Sequence, residues 1–334
     1  MTPFEQVRLT QFVQWYPAIE QERMMNAWLA DSSFGTWTQS GYLSAEDRTV
    51  ITPNPDVNYG YCWFNVSNGP MVIELAHYRR YSSLSVFDMM HFVPAVIVGP
   101  RKAGVIRLAS QQSPVADAHD VVVETVCGLA FLRMVIPERS DEAEVLALTE
   151  QIRTSGGDGQ LPFIVPDFTE AEYAVGLDVI KQYSMPLTSS LKIFGTREQG
   201  GGDMDRCAGV FLGQLGIPAT YIQYTQYVQL DGAPLGGDGS YTITVGADAI
   251  VHDDGYWSVT VYNMEDRYLV ENPQQRYSIS SYSAVPNTDG TFTIRINPEG
   301  TGENAIPTMG KPIYAIMRAY QPIGAVEFPE LHTD

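Results

Sequence analysis

Lysine is scarce in this 334-residue chain: four (Lys102, Lys181, Lys192 and Lys311) among 20 cationic residues, against 39 acidic ones. The resulting formal net charge of −19 repels nucleic-acid phosphates and anionic membrane surfaces, so neither is an expected partner. Cysteine is scarce as well. Cys62, Cys127 and Cys207 are far apart and odd in number, which argues against a disulfide framework and leaves no zinc-type spacing. They read as small buried hydrophobes. No uninterrupted apolar stretch reaches bilayer-spanning length. The start, Met1 to Arg8, lacks a basic stretch followed by an apolar run, so no secretory leader is read there. The cytoplasm is the default compartment, with a leader removed earlier as the alternative.

The standard catalytic signatures are missing too. There is no GxSxG elbow, no dinucleotide-binding glycine fingerprint and no HExxH. The five histidines (His77, His91, His119, His252 and His332) show no ligand spacing. Neither an organic cofactor nor a His-rich metal centre is expected; oxygen ligands for a hard cation remain an alternative. Gly200-Gly201-Gly202 precedes a helix pattern but lacks the Walker lysine, and reads as a connector. His91, at a strand end after Asp88, is the best single acid–base candidate by residue type; the alternative is a histidine with no catalytic part.

What is present begins with Thr52-Pro53-Asn54-Pro55-Asp56-Val57-Asn58-Tyr59. Each proline fixes its own φ and pushes the preceding residue into extended backbone, so Thr52 and Asn54 lose freedom just before a carboxylate. The following strand alternates faces and puts Tyr59, Tyr61, Trp63 and Asn65 on one side. This reads either as a pocket wall or as a turn entering a core strand.

Periodicity divides the chain into an N-terminal helical segment over 1–40, a β-rich domain over 41–140, a helical connector over 141–218 and a β-rich domain over 219–334. The fold class is α+β, rich in antiparallel strands. A helix over 3–30 is expected to break near Pro17. Further helices are expected over 141–155, over 169–183 (opened by a Thr169/Glu172 capping box) and over 203–215. Strands are expected over 59–66, 70–75, 82–88, 94–98, 104–108, 120–126 and 129–136. In the last domain Trp257, Val259 and Val261 alternate with Tyr256, Ser258, Thr260 and Tyr262, the pattern of one dry and one wet face. Asp253-Asp254-Gly255 reads as a turn before it. The strand from Ile313 to Tyr320 is apolar on both faces apart from Arg318, and should be central.

Charges on apolar strand faces stand out. Arg133 shares a face with Leu129, Phe131 and Val135, Arg318 with Tyr314, Ile316 and Tyr320, and Asp88 with Leu84 and Val86. A buried unpaired charge costs several kcal/mol, roughly, so these groups should pair or line a wet pocket. Either Asp56, Asp88, Arg80, Arg133 and Arg318 form one set, or they form separate structural ion pairs.

Three further segments carry a family resemblance: Pro70-Met71-Val72-Ile73-Glu74, Arg80-Tyr81-Ser82 through Asp88, and Leu269-Val270-Glu271-Asn272-Pro273 with Arg276-Tyr277-Ser278-Ile279. With Thr52–Tyr59, Trp257–Asn263 and Arg318-Ala319-Tyr320-Gln321-Pro322, the chain resembles the paired domains of unknown function 1254 and 1214. It departs from them at Val57, where the family has threonine, and at Met89-Met90-His91. The resemblance implies a two-part architecture with a jelly-roll-like C-terminal β-sandwich.

The expected function is a cofactor-independent enzyme, hydrolase or lyase, acting on a small, partly apolar molecule between the two β domains. Asp56, Tyr59, His91 and Arg133 are the catalytic candidates. Asn54, Tyr61, Trp63, Arg80, Asp88, Asn272, Arg276, Tyr277 and Arg318 are the substrate-binding ones. A non-catalytic small-molecule or carbohydrate binder and a metal-dependent enzyme are the alternatives. A homo-oligomer is compatible with the sequence.

Overall fold

A 27-residue helix, Pro3–Leu29, begins the fold. Thr2 caps it by accepting the Glu5 amide N–H at 3.2 Å, while the Glu5 carboxylate takes the Thr2 N–H at 2.6 Å. The expected break at Pro17 does not occur. Pro17 is buried beside Tyr16 and Ala18, and the helix packs on two others, Glu170–Ser184 and Asp203–Phe211. Packing around Phe12, Tyr16, Ile180 and Cys207 offsets the hydrogen bond that the proline removes. The computed structural model describes residues 2–48, 51–99, 105–109, 120–186, 195–198, 201–211, 222–227, 235–248, 250–324, 326–327 and 329–334, with backbone alone at 105–109 and 222–227. The end of the helix expected over 203–215 lies outside them.

The chain is α+β, and among the described residues its strands form four mainly antiparallel sheets. The first sheet runs Thr38–Gln39, Val57–Asn65, Cys127–Val135, Ser82–Asp88, Ala95–Val98, all antiparallel. The second runs Asp120–Val122, Val105–Ala109, Met71–Glu74, Arg153–Ser155. Its last strand comes from the stretch expected to be helical to residue 155: the helix there spans only Glu142–Thr149, because Arg153–Ser155 finds backbone partners in Val72–Glu74.

The third sheet runs Ile222–Tyr227, Ile313–Pro322, Val251–Asn263, Ser278–Ser280, with the arginine-bearing strand interior as expected. The fourth runs Ala305–Pro307, Phe292–Asn297, Tyr241–Val245, Leu331–Thr333. Asp253-Asp254-Gly255 is not a turn. It lies inside the long strand, where the register slips between Val251 and Tyr256. A Cβ at Gly255 would stand 2.3 Å from the Tyr320 carbonyl, so the glycine admits a bulge rather than a reversal.

The third sheet is buried on both faces. Trp257, Val259, Val261, Ala315 and Met317 meet Ile243, Val245, Ile294 and Ile296 of the fourth sheet. The opposite face was expected to be wet. Instead Ser258 and Thr260 have no exposure, and Tyr256, Tyr262, Tyr314 and Tyr320 belong to the same core cluster as Tyr59, Tyr81 and Phe131 of the first sheet. The polar face of one β unit is thus the buried interface with the other.

Candidate functional site

The Thr52–Tyr59 segment sits at that interface and is tied into the third sheet by side chains. Thr52 adopts φ +56°, not the extended backbone expected before proline. Three tertiary bonds hold this unfavourable geometry in a β-branched residue. The Thr52 N–H donates to the Arg267 carbonyl at 2.9 Å, Arg318 Nη2 donates to the Thr52 carbonyl at 3.0 Å, and the Thr52 and Tyr314 hydroxyls lie 3.1 Å apart. One residue on, the Tyr262 hydroxyl donates to the Pro53 carbonyl at 2.6 Å, and Arg318 Nη1 donates to the Tyr262 oxygen at 2.8 Å.

Asn54 is the hub. Its Oδ1 accepts the Asp56 backbone N–H at 3.2 Å, an Asx-turn that aims the next carboxylate. Its Nδ2 lies 3.0 Å from the Tyr256 oxygen, 3.0 Å from the Tyr320 oxygen and 3.2 Å from Ser258 Oγ, two hydrogens shared among three acceptors. Its backbone N–H donates to the Tyr59 oxygen at 3.0 Å. Tyr59, Tyr256 and Tyr320 therefore accept from one residue and keep their own hydroxyl hydrogens to give.

Asp56 is 5% exposed. Its Oδ1 accepts from Ser278 Oγ at 2.6 Å, while its Oδ2 is buried with no hydrogen-bond partner among the described residues. Burial lifts the carboxyl to about 6, against the lowering by Ser278 and Arg318. Burial raises the Tyr59 hydroxyl as well, so it stays a neutral donor. A carboxylate that titrates near neutrality beside neutral phenols is a general-base arrangement by type.

Arg133 reaches the same interface from the first sheet, where it pairs across the ladders with Tyr59 on one side and Ser83 on the other. Its guanidinium lies 4.2 Å over the Phe131 ring, and Nη1 donates to Ser85 Oγ at 3.2 Å. Tyr59, Phe131 and Tyr61 stack beside it, with neighbouring centroids 5.5 Å and 4.9 Å apart.

Other sequence candidates lie elsewhere. Arg80 forms an ion pair with Asp141 at 2.8 Å. Asp88 alternates onto the sheet face opposite Arg133, where its Oδ1 accepts the Phe92 N–H at 2.9 Å. Burial raises Asp88 to about 6. His91, at φ +66° in the same turn, sets Nδ1 3.0 Å from Gln21 Nε2 on the first helix, and burial, then Arg206, lowers it to about 4. Asp88 and His91 thus form a docking turn under the helices, apart from Asp56. Trp63 packs on Trp28 with centroids 6.0 Å apart. Asn272 clamps its own loop, giving Nδ2 to the Val270 and Arg276 carbonyls and taking the Arg276 N–H. Arg276 is exposed, whereas Tyr277 is buried in the shared core.

Of the residues singled out in the sequence, Asn54 bonds Asp56 and Tyr59, Arg318 acts electrostatically on Asp56, and Arg133 is joined to the group through its ladder pairing with Tyr59. Sequence reasoning gave no role to Tyr81, Ser258, Ser278, Tyr256, Tyr262 or Tyr320. The signal for the last five is their shared strand face or short motif, but strict alternation by itself reads as one wet face. Among the described residues no three His, Cys, Asp or Glu side chains converge as a metal centre, and no helix is long and apolar enough to cross a membrane.

Comparison with known proteins follows the same division. Residues 34–156 match the family model "Protein of unknown function (DUF1254)" and residues 220–323 match "Protein of unknown function (DUF1214)". No curated protein matches the chain. Among solved structures, the VPA0106 protein from Vibrio parahaemolyticus is similar over 99% of both chains, with a TM-score of 0.79 at 18% identity. A putative uncharacterized protein from Burkholderia cenocepacia is similar over 100% of this chain and 89% of its own, with a TM-score of 0.56 at 15% identity. These likenesses concern the fold.

Proposed function

We propose that this chain, which carries a DUF1254 domain followed by a DUF1214 domain, is an acid–base enzyme that needs no organic cofactor and acts on a small, partly apolar molecule at the seam between its two β units. The observation that carries the reading is Asp56: a buried carboxyl with one oxygen held by Ser278 and the other unpartnered. Asp56 is the base that takes a proton from substrate or from a water. Tyr59, kept neutral by burial, gives a proton or a hydrogen bond to the developing negative oxygen. Arg318 holds the Thr52–Pro53 backbone through Thr52 and Tyr262, and so positions the segment that presents Asp56.

Hydrolysis and elimination both fit this set. A carbohydrate-binding module would offer an open aromatic face, whereas Tyr256 and Tyr320 are buried and their oxygens bonded, which supports the enzyme over the binder. The third and fourth sheets, sharing one apolar core, read as the jelly-roll-like C-terminal sandwich.

The test is a turnover screen of small esters, lactones and β-substituted acids, followed by Asp56→Asn and Tyr59→Phe. Asp56→Asn is expected to lower kcat by about 10²–10⁴-fold and to abolish a rate limb near pH 6. Wild-type rates in both folded variants overturn the assignment.

A further inference from the structure

The buried charges at the seam do not balance. Arg318 has Asp56 as its electrostatic counterpart, together with the Tyr262 and Thr52 oxygens as acceptors. Arg133 is 1% exposed and, among the described residues, has neither a carboxylate partner nor an acceptor for Nη2. Its contacts are Ser85 Oγ and the face of Phe131. A guanidinium removed from water with donors unused carries a desolvation cost that a bound anion would relieve.

We propose, building on the acid–base reading above, that the substrate is a small monoanionic carboxylate whose carboxyl group is bound by Arg133 Nη2, with its apolar or aromatic body against the Tyr59–Phe131–Tyr61 stack. Two guanidinium groups against one Asp56 carboxylate leave a single positive charge, which matches a carboxylate and undersupplies a phosphate dianion. The planar fork of arginine suits a planar carboxylate. The stacked rings, 5° and 20° from parallel to Phe131, set flat apolar side chains beside the cation.

Calorimetric titration of the full chain with benzoate, benzamide and inorganic phosphate tests this. Benzoate is expected to bind with a dissociation constant of about 1 mM or tighter, while neutral benzamide and phosphate bind at least about tenfold more weakly. Arg133→Met is expected to weaken benzoate by about ten- to a hundredfold, with Arg133→Lys between it and wild type. If Arg133→Met does not fold, the three-ligand comparison on wild type decides alone. No benzoate binding, equal binding of benzamide, or unchanged affinity in folded Arg133→Met overturns the proposal. Asp56→Asn separates the two readings: by the same charge count it should bind benzoate at least as tightly as wild type, so a chain that binds benzoate through Arg133 but turns over normally without Asp56 keeps the carboxylate subsite and loses the assigned base.

Discussion

The rings of Tyr256 and Tyr320 stack 4.4 Å apart and 4° from parallel, and both hydroxyl oxygens lie 3.0 Å from the same nitrogen, Asn54 Nδ2. They are directly paired across adjacent strands of the C-terminal unit, while Asn54 belongs to the N-terminal one. One amide therefore fastens the two halves of the molecule together where Asp56 is presented.

Asn54→Ala should loosen that fastening. It strips an acceptor from the Asp56 N–H and donors from three buried hydroxyl oxygens. Unsatisfied buried groups cost about 1–3 kcal/mol each, with partial relief by rotation of the hydroxyls, so a loss of about 2–4 kcal/mol is expected in urea unfolding. A change under about 0.5 kcal/mol, the scale of an ordinary surface substitution, would mean the hub is ornamental.

Stability should depend on Asp56 with a definite sign. Its carboxyl stands at about 6 in the fold against 3.8 ordinarily, because it is buried. Between those values the folded chain keeps a proton that the unfolded chain releases. The contribution is fully present below about pH 4 and lost as pH rises through about 6, about 3 kcal/mol in all. His91 acts oppositely: lowered by burial from 6.5 to about 4, it contributes above 6.5 and loses that as pH falls through about 4. Subtracting Asp56→Asn from wild type isolates the carboxyl. The difference in unfolding free energy should fall from pH 4 to pH 7 by about 2–3 kcal/mol, and a flat difference would contradict the buried-acid assignment.

Arg80→Met should be nearly silent. The Arg80–Asp141 pair has side chains 24% and 25% exposed, so solvent screens it. About 0.2–1 kcal/mol of stability is expected to go, with turnover unchanged. A large kinetic effect in a folded Arg80→Met protein would return this arginine to the site.

Gly176→Ala should destabilise despite alanine's better helix propensity. The added methyl would meet Phe12 Cδ1 at 2.1 Å, where the second long helix crosses the first. Phe12 has no exposure and is ringed by Tyr16, Phe168 and Tyr173, so it has nowhere to turn. Overpacking of about 1–3 kcal/mol exceeds a propensity gain of about 1 kcal/mol, giving a lower Tm in calorimetry. An unchanged or higher Tm would mean that the helices separate freely.

Much of the site was legible. Two prolines around Asn54 and a following carboxylate marked a stiff presentation, and charges on the apolar faces at 133 and 318 marked groups that must be answered. The signal failed where local pattern and long-range contact disagree. Thr52 was expected extended, but Arg318 and Arg267 hold it at positive φ. Arg80 and Asp88 carried the same kind of charge as Arg133 and Asp56, and nothing in the pattern told which would meet which.

By itself the sequence determined the elements: capping boxes at Thr2 and Thr169, strand alternation, and the interior placement of the arginine-bearing strand are local consequences of side-chain chemistry and backbone period. Tertiary structure alone decided that the tyrosine and serine face of the third sheet is covered, that the helix passes through Pro17, and that Asp56 meets Ser278 and Arg318 rather than Arg80. The reason is that alternation states that two faces differ, but not what covers each. Covering is a contact between residues some two hundred positions apart, such as Asn54 and Tyr256, and no local period encodes it.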